Sequence, residues 1–154
     1  RPKYLLEGIR ILDKDPKIGV VYGNRQNFGD RSEVILVPKF DPFLLACDNY
    51  IDACAVFRKK VWEDCGGYDE NLMGWEDWEF WINAYCHNWQ FYHVPWILFD
   101  YRVRNGSLCR KCTEDERGLQ IVQYIYHKHA SFFRERFKEL YNKKIDRAYF
   151  DAKL

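Results

Sequence analysis

Trp78, Trp81, Ile82, Tyr85 and Trp89 recur at i, i+3, i+4, i+7 and i+11, a spacing that gathers five large apolar side chains on one face of a helix and on no face of a strand. A stripe of that size is hidden from water by a second layer, so the fold is expected to be built around this helix. The competing use of such a stripe is an exposed platform on which sugar rings stack.

The rest of the chain alternates helical and strand patterns. Pro2-Lys3-Tyr4-Leu5-Leu6 reads as a helix opening with proline in its first turn, and Leu5, Leu6, Ile9 and Leu12 continue it to Asp13-Lys14-Asp15-Pro16, where proline forbids continuation. Ile18 to Gly23 reads as a buried strand and Glu33 to Val37 as a second, with a polar turn around Gly29-Asp30 between them that makes a hairpin or a strand pair. Asp52 to Phe57 is a third strand, and Arg58 to Cys65 a short helix stopped by Gly66-Gly67. Gln90 to Val94 and Ile97 to Val103 read as two strands broken by Pro95. Leu119, Val122, Tyr126, His129, Phe133 and Leu140 mark one long closing helix. The class is therefore α/β, with strands interspersed among helices and a long helix closing the chain.

With 154 residues, 47% of them hydrophobic, the chain holds enough apolar material for one core. Its 24 Lys and Arg balance 23 Asp and Glu, so no overall field favours nucleic acid or an anionic membrane. No apolar run approaches the roughly 18 to 20 residues of a membrane helix, and no basic start followed by an apolar stretch marks a signal peptide. The expected location is cytoplasmic, at most peripheral to a membrane, with Cys47, Cys54, Cys65, Cys86, Cys109 and Cys112 as reduced thiols. Because the first residue is Arg1 rather than Met, the natural protein is expected to begin further upstream.

Chemistry concentrates in Gly66-Gly67-Tyr68-Asp69-Glu70-Asn71-Leu72-Met73-Gly74-Trp75-Glu76-Asp77-Trp78, where a glycine-rich turn and a loop deliver two adjacent carboxylates to a helix N-terminus. On spacing alone this is either a charged first helical turn, favoured by the helix dipole, or a pair of acids held for catalysis. Arg102 and Arg104, two apart on a strand, point to one side, either as a surface pair or as two guanidinium groups aimed at a diphosphate.

The run GGYDENLMGWEDWEFW resembles the segment of family-2 glycosyltransferases in which a GGYDE-like turn leads into a Glu-Asp pair. The order of flanking pieces is similar too, from Val20-Val21-Tyr22-Gly23 through Ala53-Cys54-Ala55-Val56-Phe57-Arg58 to Val94-Pro95 and Asp100-Tyr101-Arg102-Val103-Arg104-Asn105-Gly106-Ser107. The resemblance covers roughly residues 1 to 110. It implies a fragment of the GT-A fold, the C-terminal half of that domain over residues 1–112 as a mixed sheet with flanking helices, followed by a helical extension over residues 113–154. Its implied activity is the transfer of a sugar, with inversion, from a nucleotide-sugar donor to a hydroxyl acceptor, a glycan or lipid-linked glycan. It implies Asp77 as general base and Glu76 as the acceptor-orienting partner, with Trp75, Gly74, Gly66 and Gly67 shaping the acceptor pocket. Arg102, Arg104 and Ser107 would meet the diphosphate. A divalent ion, manganese or magnesium, is expected in the full enzyme, its ligands mainly outside this chain. The family's Asp-x-Asp-type motif and nucleotide-binding strands do not occur here, so this stretch alone is expected to be inactive. Asp13-Lys14-Asp15 has the spelling but ends a helix. Some family members carry a metal-ligating histidine where Arg104 stands. A carboxylate at a helix start also tends to a lowered pKa, which weakens a base.

Cys109-x-x-Cys112 lacks the second pair that a structural zinc needs, and His127 and His129 read as packing or surface residues. Two further functions remain open on these residues: a non-catalytic carbohydrate-binding or interaction module using its tryptophans, and self-association through the near-heptad pattern from Leu119 to Leu140. Phe132, Phe133 and Phe137 are expected to be exposed there.

Overall fold

The structure, a computed structural model, describes residues 1–104 and 116–151, with side chains described as far as residue 142. It is a mixed α/β arrangement of six helices and a four-stranded sheet among the described residues.

The central strand is β1 (Ile18–Gly29). It pairs in parallel with β4 (Gln90–Val103) from Ile18 opposite Gln90 to Gly29 opposite Val103. Its other edge is shared by two short antiparallel strands: β2 (Glu33–Ile35) opposite Arg25 to Asn27, and β3 (Val56–Phe57) opposite Val20 and Val21. Pro95 and Trp96 are accommodated in an irregularity between Val94, opposite Gly23, and Ile97, opposite Asn24. Proline has no ladder donor to lose at such a bulge, so the two strands read from the sequence are one. The third strand begins only at Val56, because residues 52–55 turn away from the sheet.

Paired on both edges and covered on both faces, β1 carries an unbroken apolar run whose alternate residues serve two cores. Val21 joins Leu12, Val94, Leu98 and Phe99 beneath α1 (Tyr4–Lys14). Of the four apolar residues that mark α1's period, Leu12 alone is buried; Leu5, Leu6 and Ile9 are exposed. The face turned inward instead runs through Tyr4, Gly8 and Leu12, because a Cβ at position 8 would stand 2.9 Å from Val56 and only glycine permits that approach. Pro2 precedes this helix rather than opening it.

Val20 and Tyr22 face the larger core, formed with α2 (Pro42–Cys47), α3 (Lys59–Cys65), α4 (Glu76–Cys86), α5 (Glu116–Lys128) and α6 (Ala130–Asp151). The tryptophan stripe of α4 lies within it: Trp78 is 5% exposed and Trp81, Phe80 and Ile82 are fully buried. Burial of rings this large stabilises on the order of 2 to 3 kcal/mol each. Trp81 donates its indole N–H to the Ile51 carbonyl at 2.9 Å and Trp78 to the Leu45 carbonyl at 2.7 Å, so neither indole is left unpaired. The closing helix is two helices divided at His129, and Phe132 and Phe133, expected on the surface, pack with Ile125 into the same core. Phe137 and Leu140, one to two turns further on, are exposed.

Candidate active site

α3 ends with Gly66 at φ 76° and Gly67 at φ 82°, left-handed conformations that suit glycine. The Gly67 N–H caps the Trp62 carbonyl at 3.0 Å, and a Cβ at Gly67 would meet the Trp62 ring at 2.8 Å. The chain then turns at Asp69, whose Oδ1 accepts from the amide and side chain of Asn71 at 3.0 and 2.8 Å. Trp75 enters α4 at φ 55°, a left-handed conformation uncommon outside glycine that is held here by the ring's half-buried packing against Trp78. Glu76 and Asp77 follow as the first two helical residues.

Asp77 opens into a cavity of about 510 Å³. Glu76, Trp75 and Gly74 line it from the same loop, Asn49 and Asp52 from the segment after α2, Arg25 from β1, Tyr101 from β4, and Val122 and Tyr126 from α5. The Oδ1 of Asp77 accepts two hydrogen bonds, from the Trp78 amide and from Asn49 Nδ2, both at 2.9 Å. No hydrogen bond reaches Oδ2 among the described residues. Burial pushes the Asp77 carboxyl up to about 6; the charges of Glu76 and Asp52 add to the rise, against the opposing pull of the Trp78 and Asn49 donors. The helix-start expectation of a weakened base is thereby reversed, because desolvation outweighs the donors.

Arg25 supplies the guanidinium of this cavity. It is ion-paired to Asp52, donates from Nε to Asn27 Oδ1 at 3.2 Å, and lies 5.0 Å from the Tyr101 ring centroid. Sequence reasoning passed over it; the available signal was a polar run, Asn24-Arg25-Gln26-Asn27, continuing an otherwise apolar strand. Arg102 and Arg104 are exposed and do not line the cavity; the Arg102 guanidinium sits 5.2 Å from the Phe28 ring centroid. Gly66 and Gly67 are likewise not brought to Asp77, and their geometry is that of a helix stop. Ser107, with Cys109 and Cys112, lies outside the described residues.

The α5 wall of the cavity is fastened by a charge cluster that sequence reasoning also missed. Glu79, in the first turn of α4 and fully buried, accepts from Lys128 Nζ at 2.9 Å and faces His129 Nε2 at 2.6 Å. Lys128 also reaches Asp69 Oδ2 at 2.6 Å, where the Tyr124 hydroxyl donates at 2.8 Å. Burial alone would raise both carboxyls, but the bonds from Lys128, with Asn71 and Tyr124 on Asp69 and His129 on Glu79, hold both below the usual carboxylate range. His129 thus packs its ring against the buried Glu79 carboxylate, while His127 is exposed.

Among the described residues no three or more His, Cys, Asp or Glu side chains group closely enough to hold a metal ion. Cys47, Cys54, Cys65 and Cys86 are free thiols. A larger, more open depression of about 1140 Å³, with Phe40, Tyr85 and Phe91 in its wall, shares no residue with the Asp77 cavity. Trp75 is half-buried beside Asp77 while Trp78 and Trp81 are core; the exposed tryptophans, Trp62 and Trp96, lie outside the cavity and form no open platform with it. Among the described residues no helix is long and apolar enough to cross a membrane. No protein-family model and no curated protein matches the chain.

Proposed function

We propose that this chain is the acceptor-side part of a GT-A glycosyltransferase of the family-2 type, with Asp77 as its general base. The observation that carries the reading is the state of Asp77: a carboxyl raised to about 6, seated in a cavity, with both donors on Oδ1. A base so tuned is ionised at neutral pH yet holds a proton better than an ordinary carboxylate. As the acceptor hydroxyl attacks the anomeric carbon of the donor, its proton passes to Oδ2, the new C–O bond forms, and the bond to the diphosphate oxygen breaks. The electron pair leaves with the nucleoside diphosphate, inverting the sugar.

Glu76 orients the acceptor hydroxyls and the Trp75 ring offers an apolar face to the acceptor sugar. Gly74 lines the cavity beside them. Arg102, Arg104 and Ser107 are the candidates on this chain for the donor diphosphate. The divalent ion, held mainly by residues outside this chain, would neutralise that diphosphate.

The test is Asp77→Asn in the full-length enzyme, with nucleoside diphosphate release followed over a panel of nucleotide sugars and glycan acceptors. The amide keeps shape and cannot take the proton, so turnover falls by about 10²- to 10⁴-fold while donor binding persists. Glu76→Gln costs less and shows partly in the acceptor KM. Undiminished turnover in a folded Asp77→Asn enzyme removes Asp77 from the chemistry.

A further inference from the structure

Asn49 lies two residues beyond the end of α2, in a segment that α4 holds at both ends. The Trp78 indole bonds the Leu45 carbonyl before it and the Trp81 indole bonds the Ile51 carbonyl after it, at 2.7 and 2.9 Å. Two buried rings of the helix that bears Asp77 therefore also place Asn49. Its Nδ2 donates to Asp77 Oδ1 at 2.9 Å. The opposite amide orientation would set two acceptor oxygens against each other, so the ionised carboxylate itself selects this one.

The other end of the amide is unusual. Asn49 Oδ1 is buried and has no hydrogen-bond partner among the described residues, an unmet acceptor that folding alone gives no reason to keep. An aspartate here would satisfy the space but would add a charge to a cavity that Asp48, Asp52, Glu76 and Asp77 already line, with Arg25 committed to Asp52. An aliphatic residue would supply no donor. Asparagine is the side chain of this size that brings a hydrogen to Asp77 without a charge.

We propose that Asn49 is a positioning residue for Asp77: by occupying Oδ1 together with the Trp78 amide, it fixes the plane of the carboxylate and leaves Oδ2 as the oxygen that takes the proton. This rests on the reading of Asp77 as the base. Proton transfer requires the accepting lone pair to stay within hydrogen-bond reach of the hydroxyl throughout the attack, and a carboxylate free to rotate about its Cβ–Cγ bond does not meet that requirement. Asn49 touches neither reacting atom, so its removal lowers kcat more than it raises KM.

The experiment is a carboxyl ¹³C titration of Asp77 by NMR in this 154-residue chain, repeated in Asn49→Ala and Asn49→Asp, with the amide spectrum as the control for folding. In the parent chain the midpoint is expected near 6. Asn49→Ala withdraws a donor from the ionised form and moves the midpoint upward by about 0.5 to 1 in pH. Asn49→Asp, near-isosteric and so the safer variant for folding, adds a negative neighbour and moves it further the same way. In the active full-length enzyme the acidic limb of kcat/KM moves in parallel. A midpoint unmoved in either folded variant overturns the positioning role and leaves Asp77 as base. A parent midpoint in the ordinary range near 4 instead sinks the base reading itself.

Discussion

Asp77→Asn has a consequence for stability that a mere helix-start role does not share. The carboxyl lies at about 6 in the fold against 3.8 for the ordinary group. A raised acid binds more protons folded than unfolded between those values, so its contribution to stability declines as pH rises from about 4 and is fully lost above about 6. At 1.36 kcal/mol for each tenfold change in the ionisation constant, the difference sets an upper figure of about 3 kcal/mol. Some of this is returned to Asp77 by water in the open cavity, so about 1 to 3 kcal/mol is the working range. Asparagine keeps an oxygen for the Trp78 and Asn49 donors and carries no charge to desolvate. The substituted chain is therefore expected to be more stable than the parent by about 1 to 3 kcal/mol at pH 7.5, with the gain vanishing near pH 4. Urea unfolding followed by tryptophan fluorescence at both pH values measures it. A surface-type helix-start aspartate predicts the opposite, a loss of roughly 0.3 to 1 kcal/mol at neutral pH. A loss, or a gain equal at both pH values, refutes the argument from burial.

Lys128→Met removes the cation shared by Asp69 and Glu79; breaking a buried pair costs about 3 to 5 kcal/mol, and with the Lys128 side chain 34% exposed about 2 kcal/mol is expected at pH 7. Both carboxyls are lowered in the fold, so their contribution is present above the unfolded range and is lost as pH falls; the deficit of Lys128→Met in urea unfolding should shrink below about pH 4. Gly66→Ala and Gly67→Ala separate conformational strain from collision: Gly66 has nothing within 4 Å of an added Cβ and should cost about 1 to 2 kcal/mol, while Gly67 should cost more against the Trp62 ring. Equal losses in thermal melts would refute that distinction, and a fall in turnover for Gly66→Ala would return this turn to the acceptor site.

What could be read without coordinates was local. The α4 stripe, the stop at Gly66-Gly67 and the hairpin turn near Gly29 depend on periodicity and on glycine's backbone freedom, both written in adjacent residues. The helix α2 was equally legible and was passed over: Asp41 caps it by accepting from the Phe43 amide at 2.7 Å, with Pro42 behind it. α1 misled for a physical reason. Its large apolar residues gave the period, yet the contact face was chosen by the small one, Gly8, since close approach to Val56 needs an absent side chain rather than a bulky one. At the break, His129 meets a buried partner, Glu79, fifty positions away, which no local pattern announces.

The site was legible at one wall only. Trp75, Glu76 and Asp77 are contiguous and announced themselves, whereas Arg25, Asn49, Asp52 and Tyr126 reach the cavity from three other stretches of chain and have no spacing in common. Arg102 and Arg104 stand out because alternation on a strand is visible in sequence, whereas the turn of residues 52–55 that brings Asp52 to Arg25 is not. The sign of the Asp77 shift shows the same limit. Local rules supply the helix start, which lowers an acid, but burial depends on the indoles of Trp78 and Trp81 drawing residues 45–51 over the helix and on α5 closing the far side. Those contacts are non-local, and they decide the direction because removing a carboxylate from water costs more than two neutral donors return. A sequence can therefore name the acid, while only the fold sets its strength.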